Sequence, residues 1–122
     1  MRNLLPAVEA YVAGCFVRRT SPRVDELAQR LEIHPSVLSR TFRAETGRRL
    51  STVMKEYQIA EAQRLLITTH LTVRNIALRA GFGTVNTLYR LFRAYVGITP
   101  ERYRHSATAA AVTRTPAIDS RH

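Results

Sequence analysis

Two segments of the chain repeat each other, and this repeat restricts the possible folds more than any other feature. Residues 36–47 and 86–97 are identical at six of twelve aligned positions, at an offset of 50. Upstream, the Leu-Ala pair at 27–28 corresponds to the Ile-Ala pair at 76–77 at an offset of 49, so the second copy has one extra residue in its turn, around 81–83. A short helix, a tight turn and a second helix, used twice, predict two helix-turn-helix units.

Helical spacing of apolar residues extends over most of the chain, and no segment alternates with the period of two that indicates a strand. Thr20 and Ser21 offer a capping hydroxyl to the second helix, and Gly47 and Gly97 are suited to end later ones. Gly81 is expected to adopt a positive φ in its turn. The predicted helices cover 3–18, 24–32, 34–46, 51–68, 73–80 and 84–96, followed by a compact capped turn at 99–103.

The predicted fold class is all-α, a seven-helix bundle of two helix-turn-helix subdomains joined by a long linker helix. The subdomains are residues 3–50 and 70–104, and the linker helix is 51–69. At ~1.5 Å per residue this helix is about 27 Å long, close to the ~34 Å between successive major-groove faces of B-DNA. Residues 105–122 are rich in Ala, Ser and Thr without an apolar period, which predicts a frayed or disordered tail.

The second helix of each unit has one apolar face and one polar face. At 100° per residue, the Leu38–Phe42 pair and the equivalent Leu88–Phe92 pair face inward. The opposite face in the two copies carries Ser36, Ser39, Arg40 and Arg43, and Asn86, Tyr89, Arg90 and Arg93. Arginine and short polar side chains commonly form hydrogen bonds with the edges of bases and with backbone phosphates.

The charge balance favours a polyanionic partner. Basic residues outnumber acidic ones 19 to 9, for a formal net charge of +10, and Lys55 is the only lysine among them. The arginine bias suits phosphate and guanine, and it is equally explained by a GC-rich genome. Cys15 is the only cysteine and the four histidines lack ligand spacing, so we predict no disulfide, no metal site, no cofactor and no enzyme. No apolar run is long enough to cross a membrane, which favours a cytoplasmic protein.

Residues 76–104 carry a long, specific pattern: an Ile-Ala pair, then Gly-Phe, a polar helix with arginine and phenylalanine, and a closing Gly, Thr-Pro and Tyr-Arg. This pattern resembles the signature of the AraC/XylS transcriptional regulators, and with the first unit the resemblance covers residues 3–104. It implies a bacterial DNA-binding module whose two recognition helices enter adjacent major-groove segments. Because the chain leaves no room for the sensing domain of most members, it is most similar to the single-domain branch typified by MarA and SoxS. Those proteins bind as monomers and recruit RNA polymerase.

The resemblance also implies roles for individual residues. The base-contacting set is Ser36, Ser39, Arg40, Val85, Asn86, Tyr89 and Arg90. From the outward faces and the charge we expect phosphate contacts from Arg43, Arg93, Arg48, Arg49 and Arg74.

We therefore predict a sequence-specific regulator of double-stranded promoter DNA, without a small-molecule ligand. The resemblance implies that it is an activator and that RNA polymerase is a further partner. Two alternatives stay open. One is a nonspecific architectural protein that coats nucleic acid, favoured by the charge and by the short side chains of the first unit. The other is a DNA-binding module that acts with a sensor or antagonist supplied in trans.

Overall fold

A computed structural model describes residues 3–113 of the chain, with side chains described for residues 3–107. The described part is all-α, as predicted, and contains no strand. Its helices are α1 (Leu5–Arg18), α2 (Val24–Arg30), α3 (Pro35–Thr46), α4 (Leu50–Thr68), α5 (Val73–Arg79), α6 (Val85–Val96) and α7 (Pro100–Thr113).

The last helix is longer than the sequence predicted. Thr99 caps it as expected, its hydroxyl accepting from the Arg102 N–H at 3.2 Å, but α7 continues past His105 to Thr113 instead of ending in a frayed tail. Residues 106–113 contain neither glycine nor proline and are rich in alanine, the residue with the highest helix propensity. The remainder of the predicted tail, 114–122, lies outside the described residues.

The start of α2 also differs from the prediction. The N-cap is Arg23, and no side chain caps this helix, so the hydroxyls of Thr20 and Ser21 do not serve that role. Instead the Arg23 N–H donates to the Tyr11 hydroxyl at 2.9 Å, and that hydroxyl donates to Glu26. A buried tyrosine of α1 therefore fixes the entry to α2.

The hydrophobic core consists of two clusters that meet along α4. The first runs from Leu4 to Met54 and includes the buried Leu38–Phe42 pair of α3. The second runs from Ile59 to the buried Leu88–Phe92 pair of α6, and Tyr103 of α7 packs edge-on against Phe92 with ring centroids 5.6 Å apart. Both inward-facing pairs are fully buried, which confirms the predicted orientation of these helices.

The turns of the two units have the same backbone hydrogen bonds. In the first, the Ile33 N–H donates to the Ala28 carbonyl at 3.0 Å; in the second, the Phe82 N–H donates to the Ala77 carbonyl at 2.8 Å. These donors and acceptors are 49 residues apart, as the alignment predicts. The extra residue of the second copy, Gly83, follows this shared turn.

The residue that reverses the chain differs between the two turns. Glu32 (φ 59°) and Gly81 (φ 78°) occupy equivalent left-handed positions. A Cβ on Gly81 would lie 2.8 Å from the Thr20 carbonyl oxygen and 3.1 Å from Pro22. The second turn therefore requires glycine for its close approach to the α1–α2 loop as well as for its positive φ, which confirms the prediction for Gly81.

Gln58 fastens the second turn to α4. It is the one polar residue buried among those described, and its side-chain amide donates to the carbonyls of Ala80 at 3.2 Å and Gly81 at 2.9 Å. Gly81 lies so near the loop before α2 that an added Cβ would clash with it, so the second turn is packed between the middle of α4 and the first unit.

Candidate nucleic-acid interface

The candidate interface is built on the polar faces of α3 and α6. Each helix ends at a left-handed glycine, Gly47 or Gly97, and each begins with a side-chain cap. Burial of the apolar pair on one face fixes the rotation of each helix about its axis. The opposite face is then necessarily presented to solvent.

The two helices are capped by different residues. On α6 the Thr84 hydroxyl accepts from the Thr87 N–H at 3.1 Å, whereas on α3 the His34 Nδ1 accepts from the Ser36 N–H at 3.1 Å. His34 Nδ1 also lies 2.8 Å from the Ser36 hydroxyl. The first predicted base-contacting side chain is thus hydrogen-bonded to the cap of its own helix.

Two arginines project from each polar face at equivalent positions. All four are exposed, and their side chains make no hydrogen bond or ion pair within residues 3–107: Arg40, Arg43, Arg90 and Arg93. By contrast, several other arginines of the chain bind carboxylates or carbonyls. Because the guanidinium groups of these four are unpaired, they can meet an external anion without first breaking a contact.

In the first unit the predicted residues line a cleft between α3 and the start of α4. The structure brings together Ser36, Ser39, Arg40, Arg43 and Arg49 around this cleft, with Ser39 half-buried. Arg48 lies apart from it, in a bidentate ion pair in which its Nη1 donates to Glu56 Oε1 at 2.8 Å and its Nη2 donates to Oε2 at 2.5 Å. A phosphate contact by Arg48 would have to compete with that carboxylate.

The second unit has a cleft at a different place, between α5 and the start of α6. It is lined by the predicted residues Arg74, Val85 and Asn86, together with Leu78, Gly83 and Thr84. Val85 is half-buried and packs against the second core cluster, so only part of its side chain is available to a base. At the position equivalent to Arg74 the first unit has Asp25, which is paired with Arg23 at 2.7 Å. This equivalent position is therefore a cation in the second unit and an anion in the first.

Tyr89 has a partner that sequence reasoning missed. Its hydroxyl donates to the Glu101 carboxylate in the first turn of α7, and this hydrogen bond is the main cause that raises the pKa of Tyr89 to about 12. Glutamate is common in a first helical turn, so the sequence carried no signal for this contact.

Arg104 belongs to the fold rather than to the interface. Its guanidinium donates to the carbonyls of Leu66 at 2.9 Å and Thr69 at 3.1 Å, at the end of α4. A basic side chain on the last carbonyls of a helix is a stabilising arrangement. Arg79, by contrast, is exposed on α5.

Comparison with known proteins decides the family. Residues 27–106 match the family described as "Helix-turn-helix domain". The chain belongs to the AraC-type helix-turn-helix family.

AraC-type relatives include the HTH-type transcriptional regulator Rv1931c of Mycobacterium tuberculosis. It is 42% identical over 82 residues, which are 67% of this chain and 32% of that protein. The HTH-type transcriptional activator AarP of Providencia stuartii is 32% identical over 106 residues, 87% of this chain and 77% of AarP. The chain thus spans about a third of the length of the first relative and about three quarters of the second.

A solved AraC-type structure agrees with these relatives. The DNA-binding domain of AdpA, a global transcriptional factor crystallised with a target DNA, superposes with a TM-score of 0.76 at 28% identity, covering 88% of this chain and 97% of that one. The family and fold are those of DNA-binding transcription regulators and not of enzymes. Across the helices described for residues 3–113, none is both long and apolar enough to cross a bilayer.

Proposed function

We propose that this chain is a sequence-specific regulator of transcription that places α3 and α6 in adjacent major-groove segments of double-stranded DNA. The observation that carries the proposal is the pair of unpartnered, exposed arginines at equivalent positions on both helices, opposite fully buried apolar pairs. The same arginine-bearing surface is present on two helices whose orientation is fixed by their buried residues. Such a pair of surfaces suits a ligand with a repeating structure, and successive major-groove segments of a DNA duplex provide one.

In this proposal each unit, 3–50 and 70–104, reads one segment. Base edges are contacted by Ser36, Ser39, Arg40, Val85, Asn86, Tyr89 and Arg90, with Arg40 and Arg90 as the main readers because arginine pairs bidentately with guanine. Phosphates are contacted by Arg43, Arg93, Arg49 and Arg74, and by Arg48 once its bond to Glu56 is released. The clefts support this grouping, because Arg49 lines the first and Arg74 the second.

We further propose that the chain activates transcription, acts as a monomer and presents a surface to RNA polymerase. The support is the similarity to AarP, which is an activator and of which this chain covers most of the length. A monomer suffices because one chain already contains two reading units.

The test is selection of bound sequences from a random duplex pool, followed by titration of the selected site against a scrambled duplex of the same composition. A specific regulator should bind the selected site about 10³-fold more tightly or better at physiological salt. Equal affinity for both duplexes would contradict the proposal.

One observation favours a second candidate, a nonspecific nucleic-acid coating protein. The net charge of +10 on 122 residues supports binding to any duplex by counterion release. The same titration separates the two, because a coating protein shows no selected sequence and the same salt dependence on every duplex.

A further inference from the structure

We propose that Glu101 is a positioning residue for base recognition: it holds the Tyr89 hydroxyl so that α6 presents hydrogen-bond acceptors alone at this position, which fits the exocyclic amino group of adenine or cytosine. This inference rests on the proposed function, since it assumes that α6 enters the major groove. It adds a residue of α7, outside the helix-turn-helix unit, to the determinants of sequence preference.

The geometry provides the first step. Tyr89 lies on the polar face of α6, between Asn86 and Arg90 in sequence, and is half-buried. Its hydroxyl donates to Oε2 of Glu101, whose side chain is exposed and makes no other hydrogen bond within residues 3–107. The tyrosine is therefore tethered at its polar end, which limits the directions in which the ring can lie on the surface.

The direction of the hydrogen bond provides the second step. A phenol has one O–H donor, and here that donor is committed to the carboxylate. A phenol keeps its proton at neutral pH, and the raised pKa of Tyr89 extends this to higher pH. What the pair offers to an approaching ligand is the remaining lone pair of the phenol oxygen and the free oxygen of Glu101, and both only accept.

The chemistry of the major groove provides the third step. Guanine shows two acceptors there, and thymine shows an acceptor and a methyl group, whereas adenine and cytosine each show an amino donor. Phosphate oxygens also only accept, and they carry the same charge as Glu101. An acceptor-only pair is thus matched to the amino group of adenine N6 or cytosine N4, and it disfavours guanine, thymine and phosphate.

The experiment uses the full chain and compares the sequences selected by the wild type, Y89F, E101A and E101Q. The base pair whose preference changes in Y89F marks the Tyr89 contact. Every base pair carries one amino group in the major groove, on its adenine or its cytosine, and we expect Tyr89 to accept from that group. Replacing that base by purine or 2-pyrimidinone removes only the amino group, and should weaken wild-type binding about tenfold. In E101A the hydroxyl is free to rotate and donate, so the same replacement should change affinity by less than about twofold. E101Q keeps an acceptor for the hydroxyl but replaces the free carboxylate oxygen by an amide donor, so it should retain only the part of the preference that the Tyr89 oxygen carries.

Controls separate positioning from stability and from charge. Thermal unfolding of E101A shows whether α7 stays docked, and a change in base preference by a folded variant is an effect that a purely structural tether would not produce. E61A removes the same charge from a glutamate paired with Arg64 on α4, and should alter overall affinity without altering base preference. The inference is overturned if E101A keeps the wild-type preference, or if removing the amino group at the Tyr89 position leaves wild-type affinity unchanged. If the wild type selects no sequence at all, the proposed function itself fails.

Discussion

Arginines three residues apart on α6, a proposed recognition helix, should make different contacts with DNA. On α6, Arg90 and Arg93 are both exposed and unpaired within the described residues, but Arg90 lies closer to the capped start of the helix, the end that enters the groove in helix-turn-helix proteins. We expect R90A to lose about 1–3 kcal/mol of binding free energy at one base position, because a bidentate contact to a base disappears.

The matched variant is R93A, which removes the same charge from the same helix. It should weaken binding to all sequences alike, since a phosphate contact carries no sequence information. Titrating both variants against the selected site and its single-base substitutions measures the difference. A uniform loss in R90A would move Arg90 to the phosphate-contacting set.

Glycines with positive φ in this chain differ in what surrounds them. Gly81 and Gly47 have nearly the same φ, 78° and 75°, but an added Cβ meets the Thr20 carbonyl at 2.8 Å on the first and nothing within 4 Å on the second. G47A should therefore cost about 1–2 kcal/mol of unfolding free energy, the penalty of a left-handed alanine. G81A should cost about 1–3 kcal/mol more, because the backbone contact must also be displaced. Urea denaturation of both variants checks this, and equal losses would mean that the loop before α2 yields freely.

At the scale of helices, periodicity predicted most of the fold because most helices bury a regular apolar stripe. The bounds of α4 were predicted within one residue, since the segment contains neither glycine nor proline and its apolar residues keep helical spacing. The end of α7 was missed because periodicity says nothing about an alanine-rich helix whose stability comes from propensity and from its anchors. Those anchors, Tyr103 on Phe92 and Arg104 on the end of α4, join residues far apart in sequence.

Some features of the candidate site could likewise be predicted from the sequence, and others could not. The outward faces of α3 and α6 followed from 100° spacing, and the identity of their arginines followed from the repeat. The partner of Tyr89 could not be predicted, because α7 docks on α6 through tertiary packing. Glu32 illustrates the same limit, since the alignment places it opposite Gly81 but nothing local marks a glutamate for a left-handed conformation.

Among contacts between helices, the hydrogen bonds from Gln58 of α4 to the second turn should contribute most visibly to stability. In Q58L the carbonyls of Ala80 and Gly81 lose their buried donor, so we expect a loss of about 1–3 kcal/mol in unfolding free energy and faster amide exchange around residues 80–82. The matched control is Q63L, a half-buried glutamine of the same helix whose side chain makes no hydrogen bond within residues 3–107. Equal losses of unfolding free energy in the two variants would show that the hydrogen bonds from Gln58 to the second turn do not add to stability.

At the scale of the whole molecule, the decisive property is the fixed relation between the two units. The α4 helix has 19 residues, about 28 Å of rise, and both core clusters are built on it. No flexible linker lies between the units, because the first cluster ends at Met54 and the second begins at Ile59 on the same helix. A molecule of this kind can engage two groove segments at once only when they have the correct spacing and the same rotational phase.

Rotating one groove segment relative to the other should therefore abolish joint binding. Inserting five base pairs, about half a turn of duplex, between the segments protected by the two units would place the second on the far side of the DNA. We expect affinity to fall at least about tenfold, to that of one unit alone, because a continuous helix cannot twist by half a turn to follow. The same five base pairs inserted just outside the selected site should leave affinity unchanged. If the internal insertion is tolerated, only one of the two arginine-bearing helices reads DNA, and the repeat that defines this fold serves stability in one unit and recognition in the other.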